Sequence, residues 1–279
     1  MMIPKLPVGE AIEAGIEFLS DNFSFATKAF AEVVETGIDL IVDGMMLFHP
    51  LILIAVIALL VWLVTRKRGI TIFAGAGLLL ILNFGLWEPT VSTVALVVVA
   101  TMIAIMIGLP LGILAALNGK AYKIIMPILD FMQTMPAFVY LIPAIPFFGL
   151  GVVAAIFSTV IFSVPPSIRL TCLGIRQVPE ELIEAADSFG SSKRQKLFKL
   201  QLPMATSTIM AGINQTIMLG LSMVVIAAMI GAKGLGGEVW RAIQRLDPAS
   251  GFDAGIGIVI IAIILDRTMQ SLGSSAVKK

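Results

Sequence analysis

The chain has 279 residues, 58% of them hydrophobic and only 13% charged, against roughly 45–50% and 25% in a soluble domain, which excludes an ordinary soluble enzyme. Nineteen Lys+Arg against 18 Asp+Glu leave a formal net charge of +1, too small a basic excess to hold a nucleic acid; membrane lipid is the expected surrounding. The single Cys172 and single His49 can build neither an internal disulfide nor a multi-ligand zinc site, so no metal is expected.

In chain order, residues 1–44 carry eight acids (Glu10, Glu13, Glu17, Asp21, Glu32, Glu35, Asp39, Asp43) against Lys5 and Lys28. Val8, Ile12, Ile16, Leu19 and Phe23, then Phe30, Val34, Ile38 and Ile41, recur at helical spacing and predict two amphipathic helices along a surface. The first residues lack the basic, apolar and small-residue pattern of a cleaved signal peptide, so none is expected. A membrane helix needs about 20 mostly apolar residues. Residues 46–65, 70–87 and 91–117 are such runs; 124–168 holds one charge, Asp130, and suits two spans turning at Gly149 and Gly151. Residues 200–232 give a sixth span, and 249–265, interrupted by Asp253, a seventh. The fold class expected is an all-α integral membrane protein of about seven helices.

Cytoplasmic loops hold the excess of Lys and Arg. Alternate sides of this topology receive 14 basic residues and five, the larger share including Arg66, Lys67, Arg68 and the group Lys193, Arg194, Lys196, Lys199. The N-terminus is therefore expected outside and the C-terminus in the cytoplasm. Trp62 and Trp87, near span ends, suit the interface. His49 beside Pro50, at the head of the first span, also reads as an interface residue.

The cytoplasmic segment 176–203 predicts a compact elbow of two short helices. Pro179 suits a first helical position, Glu180 and Glu181 favour the positive end of a helix dipole, and Leu182, Ala185, Ala186 and Phe189 share one apolar face. Gly190 ends the first helix, Ser192 with Gln195 makes a capping box for the second, and Pro203 begins the return into the membrane. Such a face, rimmed by Lys193, Arg194 and Lys196, implies a cytoplasmic partner.

These residues carry a resemblance. Glu184-Ala185-Ala186, three residues, Gly190, nine residues, Leu200, one residue, Leu202-Pro203 resembles the EAA loop of permease subunits of ATP-binding-cassette importers, with Leu200 in place of the usual Ile. The resemblance covers about residues 90–270. It implies a type I importer permease fold, with the elbow as coupling helix seated on a separate ATPase. It implies two copies of this chain and an external solute-binding protein. The stretches 131–136, 140–143, 165–170 and 230–237 are similar to the subfamily importing glycine betaine, choline, proline betaine and related osmolytes. The division that follows is an external acidic segment 1–44, two helices in 45–89, a permease core 90–270 with its coupling loop 176–203, and a cytoplasmic tail 271–279.

A phosphate-binding loop needs G-x4-G-K-[ST]; Gly119-Lys120 is followed by Ala121, so ATP and its Mg²⁺ are expected on the partner, and no catalytic role in this chain. Asp130 is the one acid inside 124–168, where a mid-membrane charge costs about 2.5–3.5 kcal/mol on insertion scales. It reads either as part of the translocation path or as a carboxylate near the cytoplasmic interface that pairs with Arg169. Pro136, Pro143 and Pro146 break spans four and five, and broken helices persist where they line a cavity or lie buried in protein. The path is expected there. Met132, Met135, Phe138 and Tyr140 either pack between helices or offer soft and aromatic surface to a quaternary ammonium ion, an attraction of about 0.5–2 kcal/mol. A permease for another small solute such as an amino acid, or an ion-coupled carrier, remains the alternative; a carrier would place more ionisable residues in its spans and leave the elbow without a role.

Overall fold

The computed structural model describes residues 7–276, and among them every regular element is helical. The first, α1 (Val8–Met46), is one helix of 39 residues where two were expected. No glycine or proline stands between Gly15 and Gly37 to break it. Its second half docks on the body through buried Val34 and Ile38, while Phe18, Phe25 and Leu40 stay exposed. The side chains of Val8, Ile12, Phe23 and Phe30 lie outside the described residues.

A 102° bend separates 31–46 from α2 (Pro50–Thr65), so 46–49 form a corner rather than the start of a span. His49 makes that corner: its Nδ1 accepts from the Leu51 N–H at 3.4 Å, ahead of Pro50 in the first turn. With α3 (Arg68–Asn83), α2 forms a hairpin of two 16-residue helices. Each is about 24 Å long, short of a hydrocarbon core of about 30 Å. At their corner Arg66, left-handed at φ 54°, places its guanidinium 5.3 Å from the Trp62 ring. Trp87 is not an interface residue: it is 6% exposed, enclosed with Met45, Ile57, Leu78 and Ile261, because α1 and α2 fold back over the position.

The long helices follow. From α4 (Trp87–Leu117) the chain turns at Asn118, whose side chain accepts from the Lys120 and Ala121 N–H groups at 2.9 and 3.3 Å and so starts α5 (Gly119–Thr134). Pro136 cannot continue that ladder. A 3₁₀ turn (Ala137–Tyr140) leads into α6 (Leu141–Phe148), bent by 112° from α5, so the expected fourth span is a broken one. Gly149 and Gly151, at positive φ, make the turn into α7 (Val152–Arg176), and the Gly151 N–H ties that turn to the Ile230 carbonyl at 2.8 Å. After the elbow helices α8 (Glu180–Ser188) and α9 (Lys193–Lys196), a π turn (Leu197–Gln201) runs straight into α10 (Leu202–Ala227).

Pro203, where the return into the membrane is expected to begin, does not interrupt the helix. Residues 193–230 form one continuous rod, because the Leu202 N–H bonds back to the Leu197 carbonyl and the widened turn takes up the register that Pro203 would disturb. The glycine-rich stretch 231–237 is a packed corner. The Leu235 N–H donates to Thr93 Oγ1 at 2.8 Å, Leu235 is fully buried, and a side chain at Gly234 would meet Thr93 Oγ1 at 2.5 Å. It opens α11 (Leu235–Arg245), which the sequence reading missed although Leu235, Val239, Ala242 and Leu246 keep helical spacing. Asp247 then caps α12 (Pro248–Ala276): the Ser250 hydroxyl donates to it at 2.6 Å and holds its carboxyl below the usual carboxylate range, helped by the Ser250 N–H. Four helical stretches are long and apolar enough to cross a membrane, and the two bent pairs bring the number to six; α3 is an apolar helix below that length.

At the centre α7 lies between α4 and α10 at distances that admit almost no side chain. A Cβ on Gly112 would stand 2.6 Å from Thr171 Cβ and 2.7 Å from the Ile168 carbonyl, and one on Gly212 3.0 Å from Leu170 Cβ. Helices in lipid gain little hydrophobic drive from meeting one another, so close van der Waals approach holds them. Gly112→Ala is expected to destabilise by about 1–3 kcal/mol, the usual effect of overpacking. Gly75→Ala, where a Cβ meets nothing within 4 Å, should be neutral or gain up to about 1 kcal/mol. Thermal unfolding of the detergent-solubilised protein checks this; equal midpoints for the two variants would refute the packing account.

Candidate functional site

The elbow is built as a rigid corner. Pro179 precedes α8, whose first turn carries Glu180 and Glu181 at the positive end of its dipole. Its far end closes through a complete Schellman motif: the Gly190 N–H bonds to the Asp187 carbonyl at 2.9 Å and the Ser191 N–H to the Ala186 carbonyl at 3.0 Å. Gly190 sits at φ +74°, open to a glycine but strained for a side chain. A Cβ there would meet nothing within 4 Å, so within this chain only the backbone requires the glycine.

The capping box is present. Ser192 Oγ accepts from the Gln195 N–H at 3.3 Å, and Gln195 Oε1 accepts from the Ser192 N–H at 2.8 Å. Lys196 reaches back to Asp187 at 2.6 Å and ties α9 to α8 across the glycine. It is therefore a brace inside the elbow rather than part of its rim, while Lys193 and Arg194 remain exposed.

What this corner presents is apolar and bare. Leu182 is 40% exposed and Phe189 90%, with Glu184 and Ala185 exposed beside them and Ala186 half-buried. The Glu184 carboxylate has no hydrogen bond or ion pair among the described residues. The base of the elbow is a separate small core: Ile175, Leu197 and Ala205 are buried together, with Leu202, Ile113, Ala116 and Ile209 packed around them. Leu202 thus joins the ends of α4, α7 and α10, Leu200 is half-buried, and Pro203 is exposed.

The second set of expected residues lies along α5 and the 3₁₀ turn. Asp130 pairs with Arg169 at 2.6 Å. Pro136 and Phe138 are exposed. Met132 and Met135 are half-buried against the main core. Tyr140 is buried: its hydroxyl donates to the Met132 carbonyl, its carbonyl accepts from Ser158 Oγ at 3.1 Å, and its ring meets Phe162 edge-on at 5.7 Å. In this conformation Tyr140 splints the break between α5 and α6 and offers no ring face to a solute.

Sequence reading missed a polar line on α10. Ser207, Gln215 and Ser222 are exposed, with Ala211 between them, on a helix otherwise rich in Ile, Met and Leu. Polar residues on one face of a membrane helix point to an aqueous or protein-lined surface; a test of helical spacing for Ser and Gln, and not only for apolar residues, would have found them. At the start of α4 and of α11, Glu88, Ser92, Lys233, Glu238, Trp240 and Arg241 line a cavity of about 470 Å³.

Comparison with known proteins matches residues 108–272 to the family described as "Binding-protein-dependent transport system inner membrane component". The chain is similar to the glycine betaine transport system permease protein OpuAB of Bacillus subtilis, 47% identical over 97% of this chain and 95% of the relative. It is 50% identical to the glycine betaine/carnitine transport permease protein GbuB of Listeria monocytogenes over 98% of each. It is 47% identical to the glycine betaine/proline betaine permease ProW of Escherichia coli over 96% of this chain and 75% of that one. Among solved structures, the inward-facing MetNI methionine ABC transporter shares the fold, with a TM-score of 0.62 at 22% identity, covering 66% of this chain and 93% of that chain. The chain is a multi-pass membrane protein and belongs to the binding-protein-dependent inner-membrane component family, the permease subunits of ATP-binding-cassette importers.

Proposed function

We propose that this permease imports a small quaternary ammonium compound, glycine betaine or a close analogue such as choline or carnitine, with ATP hydrolysed on separate subunits. The near-full-length similarity to permeases named for glycine betaine carries the substrate reading. The bare apolar face of α8 carries the coupling reading. Phe189 and Leu182 stand out on a corner fixed by the Schellman motif and the Lys196–Asp187 pair, a shape suited to a groove in an ATPase. In this reading Glu184, Ala185, Ala186 and Gly190 meet the ATPase, and Leu200, Leu202 and Pro203 join the elbow to α10. Nucleotide and Mg²⁺ belong to the ATPase. Asp130, Pro136 and Phe138 border the path, with Met132, Met135 and Tyr140 behind them.

One chain has one elbow and half a path, so two copies closing around a two-fold axis are the simplest assembly. A solute-binding protein then docks outside. The acidic segment 1–44 lies outside, the two helices of 45–89 flank the core 90–270, and the tail 271–279 ends in the cytoplasm.

Three measurements test this reading. In cells lacking other osmolyte importers, the chain with its partners should restore uptake of betaine or choline; uptake confined to sugars, metal ions or oligopeptides would defeat it. With Cys172 replaced, an impermeant thiol reagent should label a cysteine at position 13 and spare one at position 274 in intact cells, and the reverse pattern would invert the topology. Gly190→Val, penalised by about 1–2 kcal/mol at its left-handed φ, should insert normally yet lose most transport. Glu184→Ala should weaken ATPase association or release ATP hydrolysis from solute control. Normal co-purification and normal solute-stimulated hydrolysis in both variants would show that the elbow does not transmit.

A further inference from the structure

The broken span lies antiparallel to α7 in a fixed register marked by three contacts. Near the inner end the Arg176 guanidinium sits 4.1 Å from the Tyr122 ring; next, Arg169 pairs with Asp130 at 2.6 Å; beyond the break, Ser158 Oγ donates to the Tyr140 carbonyl at 3.1 Å. Steps of eight and ten residues on one strand of this pairing match seven and 11 on the other. Arg169 therefore lies seven residues, about 10 Å, inside the inner end of α7. An ion pair at that depth belongs inside protein or beside water, never against lipid tails.

It is not enclosed by this chain. The Asp130 side chain is 64% exposed and that of Arg169 39%, while Arg169 Nε is buried without a partner. On α5, Lys123, Pro127, Asp130 and Thr134 follow one another at helical spacing and are all exposed, beside an exposed apolar line of Ile124, Ile128 and Phe131. Across α7, Gly212 of α10 backs onto Pro166, Ser167 and Leu170. Exposed Ala211 thus stands at the level of Arg169, and exposed Gln215 one turn farther out.

We infer that the Asp130–Arg169 pair is a station for the solute in the inner half of the path, the guanidinium taking the carboxylate of a zwitterion and the Asp130 carboxylate taking its quaternary ammonium. This rests on the substrate reading above. An ion pair suits a zwitterion because the charges balance: one internal pair opens, a guanidinium–carboxylate pair and a carboxylate–ammonium contact without a hydrogen bond form, and no charge is left alone in a low-dielectric setting. The balance also keeps the hold weak, as passage requires. A simple anion would leave Asp130 uncompensated, and a cation such as choline would leave Arg169 so, which makes the station favour betaine or carnitine over choline.

The test uses proteoliposomes containing the permease, its ATPase and betaine-loaded binding protein. Arg169→Gln and Asp130→Asn should each lower maximal betaine uptake about tenfold, equivalent to about 1.4 kcal/mol. Hydrolysis stimulated by the loaded binding protein should stay within about twofold of wild type, so the ATP spent per solute rises about fivefold or more. Arg169→Lys, which keeps the cation, should retain a third or more of the uptake and guards against loss of folding in the other two. Uptake within twofold of wild type in both neutral variants would overturn the inference. So would solute-free hydrolysis rising to the stimulated rate, which would mark the pair as a closure latch. Wild-type vesicles that carry no betaine would defeat the substrate reading itself, and the station with it.

Discussion

The close approach of α7 to α4 and α10 is the constraint on which the other features depend. Lipid tails are as apolar as leucine, so the central helices cannot rely on hiding apolar surface from water. They are held where Gly108 and Gly112 of α4 meet Ser167 and Thr171, and where Gly212 of α10 meets the backbone of Pro166 and Ser167. Contacts this short fix rotation and register as well as distance. Some hydroxyls of these helices are satisfied within their own helix, as when Thr159 donates to Ala155 and Thr216 to Gly212, whereas those of Ser167 and Thr171, which face the α4 glycines, are buried without a partner among the described residues.

Fixed register on α7 is then passed to both ends of the molecule. At the elbow end, Ile175 of α7, Leu197 of the π turn and Ala205 of α10 make the small core beneath the elbow. α9 runs into α10 as one continuous rod, and the Lys196–Asp187 pair ties α8 to the start of that rod. Along the break in the fourth span, Arg176, Arg169 and Ser158 of α7 each hold a partner, and Tyr140 bridges the missing helical turn. The proline that frees backbone groups at 136 is thus backed by protein, the condition under which a broken helix persists at membrane depth.

Corrections to the sequence reading share one origin. Trp87 was placed at the interface because its neighbours in sequence end a span, yet α1 and α2 return to cover it. Residues 231–237 are rich in glycine, which permits slackness, yet Leu235 and Thr93, 142 positions apart, make them a packed corner. In each case local composition was read correctly, and a contact distant in sequence decided its consequence.

The sequence by itself determined the helical membrane class, the positions of most spans, the elbow with its Gly190 terminus and Ser192 capping box, and the family, because hydropathy, charge placement and capping are local and survive any arrangement of neighbours. Asp130 was legible as a misplaced charge, with Arg169 as one possible partner. Only the tertiary structure decided between that pairing and an unpaired charge, turned Met132, Met135 and Tyr140 towards the core, and revealed Ser207, Gln215 and Ser222 as one exposed line. Those outcomes depend on which face each helix turns to its neighbours, and that rotation is set by the glycine contacts around α7, which no single stretch of chain contains.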